Sequence, residues 1–142
     1  MTIAAILAGR TGEVISITSD TRVSEAIALL AERRIGALPV LEGERVVGIF
    51  SERDVIYCLA REGGDALSRR VADVMTAPAQ TVGPEQSVLG ALSLMTRRRF
   101  RHLPVVEHDR LVGFVSIGDL VKHRIDRIEA EAAAMRDYIL SA

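Results

Sequence analysis

Two spacings of apolar residues take turns along this chain, one near 3.6 residues and one of two, and they divide it into helices and strands. Ile3, Ile6 and Leu7 share one side of a short helical turn over residues 2–7, which Gly9 and Gly12 end. Residues 13–18 alternate, with Val14, Ser16 and Thr18 on one face and Ile15 and Ile17 on the other, and predict a short strand. Asp20 and Thr21 offer caps for the next helix, in which Val23, Ala26, Ile27, Leu30 and Ala31 recur every three or four positions until about Gly36. Residues 37–41 and 45–50 are β-rich runs joined by Glu42-Gly43-Glu44, a hairpin turn in composition. Ser51 starts another helix, and Ser51-x-x-Asp54 has the spacing of a capping box.

The pattern then begins again. Shifted by 65 positions, residues 23–56 pair without a gap with residues 88–121, and 14 of the 34 pairs are identical. The identities fall where the elements do: Leu38-Pro39-Val40 on Leu103-Pro104-Val105, Val47-Gly48 on Val112-Gly113, Ser51 on Ser116 and Asp54 on Asp119. The second copy reads as an opening at residues 71–76, a strand near 80–82, a helix over 87–98, strands over 103–106 and 110–115, and a helix from Ser116. The fold class is therefore α+β, two β-α-β-β-α units, each too small to bury its apolar face alone and each covering the other. The expected organisation is residues 1–62 as the first unit with its lead-in, 63–70 as a linker around Gly63-Gly64, 71–124 as the second unit and 125–142 as a helical extension. The last helix does not stop where the first copy's does. Val121, Ile125, Ile128, Ala132, Met135 and Ile139 continue it at alternating spacings of four and three, a heptad-like seam open to contact with another chain or with the chain's own body.

Composition narrows the function. The chain has 142 residues, 49% of them hydrophobic, enough for one core or two small ones sharing an interface. A net charge of −1 with 26% charged residues gives no global field toward nucleic acid, and 4% aromatics leave little for base stacking. The run Arg97-Arg98-Arg99-Phe100-Arg101 fans around a helix end and reads as a solvated face, with Arg33-Arg34 matching it in the first copy. The apolar runs fall short of the roughly 18 residues that span a bilayer, so no membrane role and a cytoplasmic location are expected. Cys58 alone forms neither an internal disulfide nor a Cys-based metal site and is expected to be a buried thiol. No histidine has metal-ligand spacing with a partner; His108 and His123 read as surface residues. There is no phosphate-loop, nucleophile-elbow or zinc-helix motif and no nucleophile with a base, so neither catalytic nor metal-ligating residues are assigned and no enzyme is expected.

The two Gly-x-x-Ser-x-x-Asp junctions carry the chemistry. A glycine at a strand end admits a ligand to the backbone, a helix N-terminus favours a phosphate, and a carboxylate one turn in can accept from the vicinal hydroxyls of a ribose. Helix capping alone also accounts for Ser and Asp at this spacing, but the junction occurs twice. Leu-Pro-Val followed by Val-Gly, two apolar residues and Ser-x-x-Asp, twice over, resembles a tandem pair of CBS domains, a Bateman module of the stand-alone bacterial type.

That resemblance spans about residues 3–125 and implies pseudo-twofold symmetry with two clefts for adenosine derivatives. AMP or ATP is the expected ligand, with NAD and S-adenosylmethionine as alternatives, and none as a catalytic cofactor. Carried over by motif, one cleft sets Ser51, Arg53 and Asp54 against Thr81, Val82, Phe100, Arg101, His102 and Pro104. The other sets Ser116, Gly118 and Asp119 against Ile17, Thr18, Ile35, Gly36, Ala37 and Pro39. Where the Asp54 cleft has Arg53, Arg101 and His102, the Asp119 cleft has Gly118, Gly36 and Ala37, so the Asp54 cleft is expected to take the more highly charged phosphates. The resemblance further implies a homodimer of such pairs and a separate target enzyme or transporter. The function expected is nucleotide sensing by conformational change. The alternative is a ligand-free interaction module whose motifs are only helix caps.

Overall fold

The computed structural model describes residues 1–10 and 12–141. Its elements in order are α1 (Ile3–Ala8), β1 (Ile17–Thr18), α2 (Val23–Arg33), β2 (Ala37–Glu42), β3 (Arg45–Ser51) and α3 (Glu52–Glu62), then a 3-10 helix (Gly63–Ser68), α4 (Val71–Val74), α5 (Val88–Arg98), β4 (His102–Glu107), β5 (Arg110–Ser116) and α6 (Ile117–Ser141). Both units are present, the first as β-α-β-β-α and the second as α-β-β-α with a single bridge in place of its first strand, and α6 extends far past the second. Among the described residues no helix is long and apolar enough to cross a membrane.

The hairpins repeat residue for residue. Leu38 lies opposite Phe50 as Leu103 lies opposite Val115, and the register slips between Val40 and Leu41 just as between Val105 and Val106. The first strands are shorter than alternation predicts. Only Ile17 and Thr18 pair, in parallel, with Val40 and Leu41. In the second unit a single parallel bridge joins Val82 to Val105, since Gly83 and Pro84 end the extended run at once.

Helix ends also differ from expectation. Neither Asp20 nor Thr21 caps α2: Asp20 Oδ1 accepts from Arg70 at 2.9 Å, Thr21 Oγ1 from the N–H of Thr18 at 3.1 Å, and Arg22 stands at the cap position without a side-chain bond. The helix stops at Arg33 because Arg34 turns left-handed, with φ 54°; Arg99 does the same after α5, with φ 59°. Residues 63–68, read as a linker, form an ordered 3-10 helix whose Ala66 is fully buried. The chain beyond them is tied to α2 by Val23 N to Arg69 O and Val71 N to Thr21 O.

Two cores result, and each borrows a segment from outside its repeat. Ile17, Val23, Leu30, Leu38, Val40, Phe50 and Cys58 of the first unit pack with Val71 and Val74 of α4. Met95, Leu103, Val105, Val115 and Leu120 of the second pack with Ile3 of α1. The lead-in grouped by sequence with the first unit thus closes the second, and the segment at 71–74 closes the first. The repeated glycines make room for this. A Cβ on Gly48 would stand 2.7 Å from Met75 Sδ and 2.9 Å from Thr76 O, and one on Gly113 would stand 2.5 Å from Leu7 Cδ2. Sequence reading left these glycines for a ligand; protein fills the space where either Cβ would stand, although Gly113 still lines a cavity. Cys58 is buried as expected, its thiol donating to Val55 O. His123 is half-buried, with Nε2 shielded, and not a surface residue.

Candidate functional site

Each strand-to-helix junction is a closed capping arrangement. Asp54 Oδ2 accepts from the N–H of Ser51 at 2.9 Å and from its hydroxyl at 3.2 Å, while Ser51 Oγ caps the N–H of Asp54 at 3.4 Å. Asp119 and Ser116 reproduce this at 2.8 and 3.1 Å. The N–H of Glu52 donates to Gly36 O and that of Ile117 to Arg101 O, so strand backbone takes up the start of each helix. These bonds orient α3 and α6 toward two cavities.

The first cavity, of about 620 Å³, opens beside α3. Ser51, Arg53, Phe100, Arg101 and His102 line it as the resemblance implies, and Asp54, Thr81, Val82 and Pro104 do not. Asp54 is only 7% exposed, and its Oδ1 accepts from Thr76 Oγ1 at 2.9 Å, so its carboxylate is bonded within the protein on both sides. Val82 is buried in the second core, and Pro104 is buried within β4. The wall that sequence reasoning missed is apolar at Ile56 and Tyr57 and cationic at Arg99. Among the described residues, Arg53, Arg99 and Arg101 form no ion pair, which leaves three guanidiniums around one cavity with Glu52 as the acid that lines it.

The second cavity, of about 670 Å³, opens beside the start of α6. Ser116, Asp119, Ile35, Gly36 and Ala37 line it; Ile17, Thr18, Pro39 and Gly118 do not. Ile17 is buried by its pairing with Val40, Pro39 is buried in β2, and Thr18 is exposed with its hydroxyl against Thr21. The expected contrast in charge between the clefts is smaller than the motif positions imply, because Arg10 and Arg34 also line this cavity. Arg10 Nη2 lies 2.7 Å from Asp119 Oδ2, and Nη1 donates to Phe114 O at 2.7 Å. Burial opposes ionisation of Asp119, but the Ser116 N–H, the Arg10 guanidinium and the Ser116 hydroxyl outweigh it and hold the carboxyl below its ordinary value. Nothing local marked Arg10, which reaches the site only because α1 packs on the second unit. Arg34 and Arg99 had a signal in the repeat: they are identical at corresponding positions.

Gly36 and His102 line both cavities, so the two clefts share a wall. The His102 ring stacks on Phe114 with centroids 5.5 Å apart. Desolvation lowers its pKa from the ordinary histidine value, Asp119 and Glu52 pull it back up, and Arg101 adds to the lowering.

Comparison with known proteins gives consistent findings. The sequence profile of the CBS domain matches residues 10–61 and again 71–126. The chain superposes with a TM-score of 0.82 on a putative signal-transduction protein with CBS domains from Burkholderia ambifaria, at 39% identity, covering 89% of this chain and 95% of that one. It is 35% identical over 127 residues to the mitochondrial CBS domain-containing protein CBSX3 of Arabidopsis thaliana, covering 86% of this chain and 62% of that protein's length. A structure of CBSX2 in complex with AMP aligns at 26% identity and a TM-score of 0.71, over 80% of this chain and 89% of that one.

Proposed function

Because this chain belongs to the CBS-domain family, we propose that it is a non-catalytic regulatory module that binds adenosine-containing nucleotides in its two clefts. The observation that carries the reading is the pair of left-handed arginines. Arg34 and Arg99 stand at equivalent helix ends, each on the lip of a cavity, in a conformation that costs a non-glycine residue roughly 1 kcal/mol or more. Such strain, repeated beside both clefts, suits guanidiniums held for a phosphate. The relative solved with AMP supports the same ligand class.

In the first cavity Ile56, Tyr57 and Phe100 supply an apolar wall for a purine, and Arg53, Arg99 and Arg101 supply charge for phosphates. ATP or ADP is the ligand we assign there. In the second, Arg10 already neutralises Asp119, which leaves Arg34 and favours a less charged ligand such as AMP. NAD and S-adenosylmethionine fit the same apolar and hydroxyl-rich requirements less well, their charge being lower than the first cavity offers. A ligand that prefers one relative angle of the two units would shift the population toward it, and the shared Gly36–His102 wall would carry the shift between clefts. The module would act on a separate enzyme or transporter as a homodimer in the cytoplasm.

Calorimetric titration of dialysed protein with AMP, ADP, ATP, NAD and S-adenosylmethionine tests this. A charge-assisted contact contributes about 1.5–3 kcal/mol, so Arg101→Ala should weaken ATP about ten- to hundredfold. Unchanged affinity would remove Arg101 from the site. One observation favours a second reading, a ligand-free interaction module: the Asp54 carboxylate is already bonded to Ser51 and Thr76. No heat with any nucleotide, from protein free of bound nucleotide, would establish that reading instead.

A further inference from the structure

Beyond its second turn, α6 leaves the body of the molecule: Leu120 is its one fully buried residue, His123 and Arg124 are half-buried, and the helix then runs on to Ser141. Along it Val121, Ile125, Ile128, Met135 and Ile139 are between 42% and 62% exposed, and Ala132 completes their alternating spacing of four and three. Packing of this seam on the chain's own body, the other reading of the pattern, is excluded by that exposure. A stripe of large apolar residues on one face of a solvent-facing helix is incomplete without a partner.

The charges beside the seam identify the partner. With Ile125, Ala132 and Ile139 as a positions and Val121, Ile128 and Met135 as d positions, Arg124 and Glu131 fall at g, and Lys122, Glu129 and Arg136 at e. In a parallel pair each g residue meets the e residue five positions on in the other helix. Arg124 then meets Glu129, and Glu131 meets Arg136, each twice by symmetry, so all four contacts are attractive. Within the chain, among the described residues, Arg124, Glu129 and Arg136 have no ion-pair partner, and Glu131 has Arg127 of its own helix.

An antiparallel pair keeping all six seam layers instead opposes Lys122 to Arg136 and sets Glu129 and Glu131 against their own copies. An antiparallel pair shifted to match Lys122 with Glu129 and Arg124 with Glu131 leaves Met135 and Ile139 outside the seam. We propose that α6 forms a parallel, in-register two-stranded coiled coil with α6 of a second copy of this chain. The proposal does not rest on nucleotide binding.

Sedimentation equilibrium of the full chain tests it. Wild type is expected to be a dimer, and Ile128→Lys, at an exposed position that leaves the fold intact by circular dichroism, a monomer. Arg124→Glu and Glu129→Arg should each weaken the dimer by about tenfold, since each turns two attractive contacts repulsive. The double variant should restore it, because its charges are merely exchanged. In the shifted antiparallel register the same double variant faces Glu131 and Lys122 of the other chain and is worse than either single change. Ala132→Cys should also form a disulfide-linked dimer under mild oxidation, the native Cys58 being fully buried. A monomeric wild type, a dimer that survives Ile128→Lys, or a double variant weaker than the single ones would each overturn the proposal.

Discussion

Whether Asp54 is first a brace or first a ligand group can be decided without any ligand. Its carboxylate is 7% exposed and joins the start of α3 to Thr76, which follows the borrowed helix α4. Asp54→Ala removes two short bonds, to Thr76 Oγ1 at 2.9 Å and from Ser51 N at 2.9 Å, and a longer one from the Ser51 hydroxyl at 3.2 Å, which can turn to water. Hydrogen bonds to a charged group contribute about 1.5–3 kcal/mol each, and the lower figure applies because Thr76 and Ser51 regain water, giving a loss of about 3 kcal/mol. For a chain of this length that corresponds to roughly 6–12 °C in Tm, at about 2–4 °C per kcal/mol. Thr76→Val removes one bond and should cost about 1.5 kcal/mol. The two changes share that bond, so the double variant should be no less stable than Asp54→Ala by more than about 0.5 kcal/mol. Asp119 is the internal control: its partner Arg10 is 38% exposed, and such a pair contributes below about 1 kcal/mol. Asp119→Ala loses the matching bond from Ser116 N at 2.8 Å as well, about 1.5 kcal/mol, but only this exposed pair in place of the buried Thr76 bond, so it should cost at least about 0.5 kcal/mol less than Asp54→Ala. Urea unfolding of nucleotide-free protein measures all four. If Asp54→Ala unfolds within about 0.5 kcal/mol of wild type, or its effect adds fully to that of Thr76→Val, the brace does not exist.

Three further outcomes are expected. Gly48→Ala should destabilise by about 1–3 kcal/mol, because its Cβ meets the carbonyl of Thr76, which is fixed by two 2.9 Å bonds to Ile49; Gly113→Ala meets only the side chain of Leu7 and should cost less, and equal losses in thermal unfolding would refute the contrast. Arg99→Gly relieves a left-handed residue and should raise stability by about 0.5–1 kcal/mol while weakening ATP; a change of the same sign in both assays would contradict the role given to that strain. Burial lowers the pKa of His102, so between the unfolded value of 6.5 and its lower folded value the unfolded chain binds more protons, and stability is lost as pH falls through that window. His102→Asn should flatten the acid limb of a pH–stability curve, and an unchanged limb would assign it to other groups.

How far the amino-acid order reaches can be read from particular residues. Both hairpins, both capping boxes, the helix of Val23, Ala26 and Leu30 and the seam along α6 are local patterns, written within a few turns or one strand pair, and all were legible. The repeat at 65 positions made the two-unit architecture legible as well. What tertiary structure alone decided are contacts closed across long separations. Leu7 fills the space at Gly113 and Met75 that at Gly48, exchanging the segments that complete each core. Arg10 reaches Asp119 across more than a hundred residues because α1 packs on the second unit. Arg34 and Arg99 read as ordinary helix-end cations until their left-handed backbones set them on the cavity lips. Ile17 and Val82 are turned into the two cores and Pro39 and Pro104 are buried within β2 and β4, so none of these four motif residues lines a cleft. Periodicity records which face of an element avoids water; which other segment covers that face depends on the shape of the whole chain.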